Sequence, residues 1–152
     1  DWSSDGLFRS PTEAFLFRPN MHAVVRALLD KGANPNVQVA RYTVKNTDRM
    51  NLLGATPFLF AAAAADPVAM KMLLDKGANP VMKTSDGTSP LMVASGLART
   101  KDRPREDEKS ALEAVRMTFE LGNKPNDLTL DGMGAMHGAA LSGASKRTPA
   151  PR

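Results

Sequence analysis

Apolar residues recur at helical spacing in three separate stretches of this chain. Met21, Val24, Val25, Leu28 and Leu29 fall at i, i+3, i+4, i+7 and i+8, one stripe of an α-helix. Met70, Leu73 and Leu74 form a second stripe, and Leu112, Val115, Met117 and Phe119 a third. Each stripe stops at a glycine, Gly32, Gly77 or Gly122, which supplies the left-handed residue that closes a helix. Two of the starts are also marked. Asp66 is an N-cap ahead of Pro67 at the first helical position, and Ser110 with Glu113 has capping-box spacing.

A shorter apolar segment precedes each of the second and third stripes, and one more follows the third. Thr56-Pro57-Phe58-Leu59-Phe60 and the five alanines after it predict an N-capped, closely packable helix. Ser89-Pro90-Leu91-Met92-Val93-Ala94-Ser95 repeats the plan. Gly134-Ala135-Met136-His137-Gly138-Ala139-Ala140 is a weaker version, read as a helix over residues 134–142 with Gly143 at the turn after it. Asp86-Gly87 and Asp131-Gly132 mark tight turns in front of the last two. Near the start, Ser10-Pro11-Thr12-Glu13 opens a short predicted helix over residues 11–17.

These segments belong to an internal repeat. Leu28-Leu29-Asp30-Lys31-Gly32-Ala33-Asn34-Pro35 recurs letter for letter as residues 73–80, an offset of 45, and a degraded copy follows as Phe119-Glu120-Leu121-Gly122-Asn123. The offset separates into a unit of 33 and an insertion of 12. Gly77 to Gly87 and Gly122 to Gly132 are ten apart, whereas Gly32 to Gly54 is longer by 12, which places an insertion within residues 38–53. The second insertion falls between two helices, within residues 99–109. Insertions in stacked repeats map to loops, often on the binding side.

The order of turn, Thr/Ser-Pro-apolar helix, loop, amphipathic helix and Gly-Ala-Asn resembles the ankyrin repeat, a unit of about 33 residues carrying T-P-L-H-x-A. The motif is met by residues 56–61 and 89–94, the closing loop by residues 32–36 and 77–80, and the motif histidine by His137. The match runs over residues 21–143 and is similar to a bacterial-type array with inserted loops. The resemblance implies an all-α solenoid of helix-turn-helix units with short hairpin-like turns. It would form one domain over residues 1–143, with units near 10–37, 53–83, 86–127 and an incomplete 131–143. Residues 144–152, rich in Pro, Lys and Arg, are expected to form a disordered tail.

The resemblance further implies a non-catalytic protein–protein interaction module that holds its partner on the concave face and hairpin tips. The residues expected there are Arg41, Tyr42, Lys45 and Arg49 in the first insertion, Lys83, Ser85 and Asp86 at the next tip, Phe60 and Val93 on the first helices, and Leu128 and Thr129 at the last tip. The partner's identity is not readable. Because no second helix completes the fourth unit, the C-terminal end is expected to self-associate or fray. The alternative is a fragment of a larger protein, enzymatic or exported, in which the array positions another domain.

Composition narrows the chemistry. Cysteine is absent, which excludes disulfides and thiolate metal sites. The net charge of +4 is scattered rather than gathered on one face, and three of the positive residues lie in the tail, so nucleic acid is not an expected partner. The longest apolar run, residues 57–65, is far below the roughly 20 residues of a membrane span. His22 and His137 stand far apart in sequence, and no metal-binding, phosphate-loop or nucleophile-elbow motif occurs, so no cofactor, metal or catalytic residue is expected. His137 is read as a structural residue and His22 as a surface residue of the first helical turn. The nine methionines are read as core filling. A soluble protein is expected. No feature assigns a compartment, and because Asp1 is not a methionine, a segment upstream of it, an export signal included, stays open.

Overall fold

A computed structural model describes residues 21–41, 53–97 and 108–144. Among them are six helices and no strand: α1 (Met21–Asp30), α2 (Pro57–Ala63), α3 (Pro67–Asp75), α4 (Pro90–Ala94), α5 (Glu108–Glu120) and α6 (Ala135–Ala144). The predicted helix over 11–17, most of both insertions and the C-terminal tail lie outside the described residues.

The duplicated octapeptide closes a helix in the same way each time. The N–H of Gly32 donates to the Leu29 carbonyl and that of Ala33 to the Leu28 carbonyl. Gly77 and Ala78 repeat the pair on Leu74 and Leu73, and Gly122 and Asn123 repeat it on Phe119 and Thr118. The three glycines have φ of 87°, 85° and 96°, a region that costs a residue with a Cβ about 1–2 kcal/mol. The closure therefore favours glycine, which recurs at all three positions.

The helix starts follow the side-chain caps. Thr56 Oγ1 accepts from the Leu59 N–H, Asp66 Oδ1 from Ala69 and Ser89 Oγ from Met92, each with proline in the first turn. Three expected boundaries are displaced. Ser110 lies inside α5, which already runs from Glu108, so it does not cap that helix. Gly143 continues α6 rather than breaking it, because helix geometry tolerates a glycine that no turn requires to leave. The five alanines do not all stay helical: α2 ends at Ala63, and Ala65 takes a left-handed φ of 53°.

The helices stack in two rows. α2, α4 and α6 touch in succession along one row, and α1, α3 and α5 along the other, with α2 on α3 and α4 on α5 between rows. The core runs between them through Phe58, Leu59, Met70, Leu73, Val93 and Ala114. Alanines at 61, 62 and 94 let the helices of the first row come close. Successive units are tied on the outside by Lys76–Asp30 at 2.9 Å, Lys71–Glu113 at 2.8 Å and His22–Asp66 at 2.6 Å. Exposed pairs of this kind contribute little, roughly 0–1 kcal/mol each. The loops add a hydrogen-bonded tie, in which Asn36 Nδ2 donates to the Gly77 carbonyl and Asn36 Oδ1 accepts from the Asn79 N–H.

Candidate partner-binding face

Each pair of units is joined by a reversal of the chain, and three reversals are closed by one hydrogen-bond scheme. Thr84 N–H donates to the Thr88 carbonyl and Gly87 N–H to the Thr84 carbonyl. Thr129 with Met133 and Gly132 does the same, as does Val39 with Ala55 and Gly54. The closing residues are four apart in the first two cases, 84–88 and 129–133, and sixteen apart in the third, 39–55. The twelve extra residues therefore lie between Val39 and Ala55, and the closing hydrogen bonds at the two ends keep the scheme of the shorter reversals.

The tips are laced edge to edge. Ser85 N–H donates to the Leu53 carbonyl at 2.8 Å, and Leu130 N–H donates to the Asp86 carbonyl, also at 2.8 Å. A Cβ on Gly54 would lie 3.2 Å from Ser85 N, and one on Gly87 would lie 3.3 Å from the Leu128 carbonyl oxygen. Only glycine admits this approach at both left-handed positions. The result is a hydrogen-bonded row running from Leu53 through Ser85 and Asp86 to Leu130.

The expected partner-binding residues divide on this frame. Arg41 and Ser85 are exposed. Phe60 is exposed at the outer side of α2. Leu128 is exposed on the last tip. Lys83 is exposed and bridges to Asp127 of the next unit at 2.7 Å. Asp86 is half-buried and turned inward: its carboxylate accepts from the hydroxyls of Thr84 and Thr88 and from the Thr88 N–H. It builds the tip more than it faces outward.

Two assignments are corrected. Val93 is 1% exposed and belongs to the core, so it offers no surface to a partner. Thr129 is buried, its hydroxyl accepting from the Met133 N–H to close the last tip. Tyr42, Lys45 and Arg49 lie outside the described residues.

Sequence reasoning missed three exposed side chains in the same region, Leu53, Leu130 and Met136, of which Leu130 is 83% exposed. The signal was available in Asp127-Leu128-Thr129-Leu130-Asp131. Thr129 is spent on the turn, which leaves both flanking leucines facing out.

His137 accepts from the Gly134 N–H through Nδ1 at 3.1 Å. The ring thus ties the start of α6 to its own turn. Among the described residues no group of three or more His, Asp or Glu is placed to hold a metal ion, and no helix is long and apolar enough to cross a membrane. The face presents the apolar side chains of Leu53, Leu128 and Leu130 beside the Lys83–Asp127 ion pair. Comparison with family models and with curated protein sequences finds no match.

Proposed function

We propose that this chain is an ankyrin-type solenoid that acts as a protein-binding module, holding its partner along the laced tips and the adjoining first-row helices. The observation that carries this reading is the row from Leu53 to Leu130. It is fixed by backbone hydrogen bonds, yet it exposes Leu53, Leu128, Leu130 and nearby Phe60. Large apolar side chains gathered on a hydrogen-bonded edge are costly in a protein that binds nothing and useful in one that does. The first insertion, whose Tyr42, Lys45 and Arg49 lie outside the described residues, joins the chain at Leu53, the first residue of this row, and is proposed to add contacts to the same partner.

The test is affinity capture with the wild-type chain and with a Phe60→Ala/Leu130→Ala variant, alongside thermal unfolding of both. A protein retained by the wild type and lost from a variant with an unchanged melting midpoint supports the reading. Capture that is indifferent to both substitutions would remove it. A large drop in the midpoint would show that Phe60 and Leu130 hold the fold rather than a partner.

A further inference from the structure

Among the described residues, the first and last second-row helices expose opposite halves of one pattern. Aligned on their closing glycines, the second-row helices place Leu28, Leu73 and Thr118 at one position, and Leu29, Leu74 and Phe119 at the next. Leu28 is 57% exposed, whereas Leu73 and Thr118 are 4% and 0% exposed. The neighbouring position inverts the order, since Leu29 is 8% exposed, Leu74 half-buried and Phe119 55% exposed. Val24 joins Leu28 on the open side of α1, while its counterparts Ala69 and Ala114 are buried. One side of each second-row helix therefore packs on the unit before it, and the other side receives the unit after it.

We propose that these end faces take each other: α1 of one copy of the chain packs on α5 of another, head to tail, in the register of the internal stack. The interface that would form is already present twice within the chain, as α1 on α3 and α3 on α5. The loops select the same occupant. Asn36 reaches forward to Gly77 and Asn79, which lie in the second copy of the octapeptide. Asn126 holds the place of Asn36 in the last loop, is exposed, and makes no hydrogen bond among the described residues. The head of a second copy would offer Asn126 the same Gly-Ala-Asn at residues 32–34, letter for letter. A heterologous contact of this kind leaves a head and a tail open after every addition, so it propagates into rings or fibres unless blocked.

Blocking each end separately tests this. Leu28→Glu closes the head and Phe119→Glu the tail, both at exposed positions that leave the melting midpoint near that of the wild type. By sedimentation equilibrium the wild-type average mass rises at least about 1.5-fold between about 5 and 500 μM, the range expected of a small interface. Each variant alone stays monomeric, and an equimolar mixture gives a dimer and nothing larger, because only one head and one tail remain. Asn126→Ala, outside any helix, weakens wild-type association several-fold and provides a second reading that does not depend on either charged variant. A wild type that remains monomeric throughout overturns the proposal. So does assembly of the Leu28→Glu variant by itself, which would mean tail-to-tail pairing, and so does association unchanged by Asn126→Ala.

Discussion

Met92 stands where His137 stands, and its thioether does the work of the imidazole. The Ser89 N–H donates to Met92 Sδ at 3.4 Å, three residues ahead, as the Gly134 N–H donates to His137 Nδ1 at 3.1 Å. Ser89 Oγ returns the bond by accepting from the Met92 N–H, which makes a reciprocal cap at a fully buried helix start. Thioether sulfur is a weak acceptor, but at this site it is the acceptor in reach of a buried donor. Met92→Leu keeps the volume and removes the acceptor. A volume-conserving swap of this kind usually costs under about 1.5 kcal/mol. Here the stranded N–H adds its desolvation penalty of about 1–3 kcal/mol. Urea unfolding should therefore place Met92→Leu well below wild type, whereas Met72→Leu, half-buried, should fall close to it.

Leu28 and Leu73 occupy one position of the same octapeptide and have opposite surroundings, so identical substitutions should give different costs. Leu73→Ala removes a core side chain and is expected to lose about 2–5 kcal/mol, partly through the cavity it leaves. Leu28→Ala at low micromolar protein should change stability by less than about 0.5 kcal/mol. Chemical denaturation of the two variants side by side makes the comparison. Equal losses would mean that α1 is covered on its outer side.

Ala65 holds the left-handed position that ends α2, with its N–H on the Ala62 carbonyl and the next N–H, of Asp66, on the Ala61 carbonyl. At the end of α4 the same geometry falls on Gly96, which donates to Val93 ahead of Leu97 on Met92. Ala65→Gly relieves about 1–2 kcal/mol of steric cost and gives back about 0.5–1 kcal/mol through the freer unfolded chain. The net expectation is a gain of several tenths of a kcal/mol or more, read as a raised melting midpoint. A lower midpoint would show that the Ala65 methyl packs usefully enough to outweigh its backbone.

The unit of the fold was legible because it is written in residues that answer to local rules. Glycine at 32, 77 and 122 and the Thr/Ser/Asp-Pro starts are determined within a few neighbours, and the helices follow. What local rules could not reveal is which side of a periodic stripe meets a neighbour. Val93 and Phe60 share a place in the helix-start motif, yet one is core and the other surface, since burial depends on the unit stacked beside them. Thr129 was misread for a related reason: a polar residue at a tip looks like a contact until its hydroxyl is found closing the turn. Leu130 escaped notice because one leucine next to Asp-Gly carries no period at all.

The seat of α6 gives the sharpest test of the stacking, because there the sign of a familiar effect should reverse. Glycine inside a helix normally destabilises it by up to about 1 kcal/mol relative to alanine, so Gly138→Ala ought to help. In this structure a Cβ at 138 would lie 2.6 Å from Leu97 N and 3.1 Å from its Cα, both backbone atoms of the turn after α4. Backbone cannot rotate away as a side chain can, so α6 must lift from the stack. Overpacking of this kind costs about 1–3 kcal/mol, which outweighs the propensity gain. Ala140→Gly, two residues on and exposed, has no such contact to lose and should cost only the ordinary helical penalty. Amide exchange distinguishes the two cases. Gly138→Ala should collapse protection along α6 while leaving α3 near its wild-type rates, and Ala140→Gly should lower α6 protection only modestly. If Gly138→Ala instead protects α6 better than wild type, the helix does not rest on Leu97.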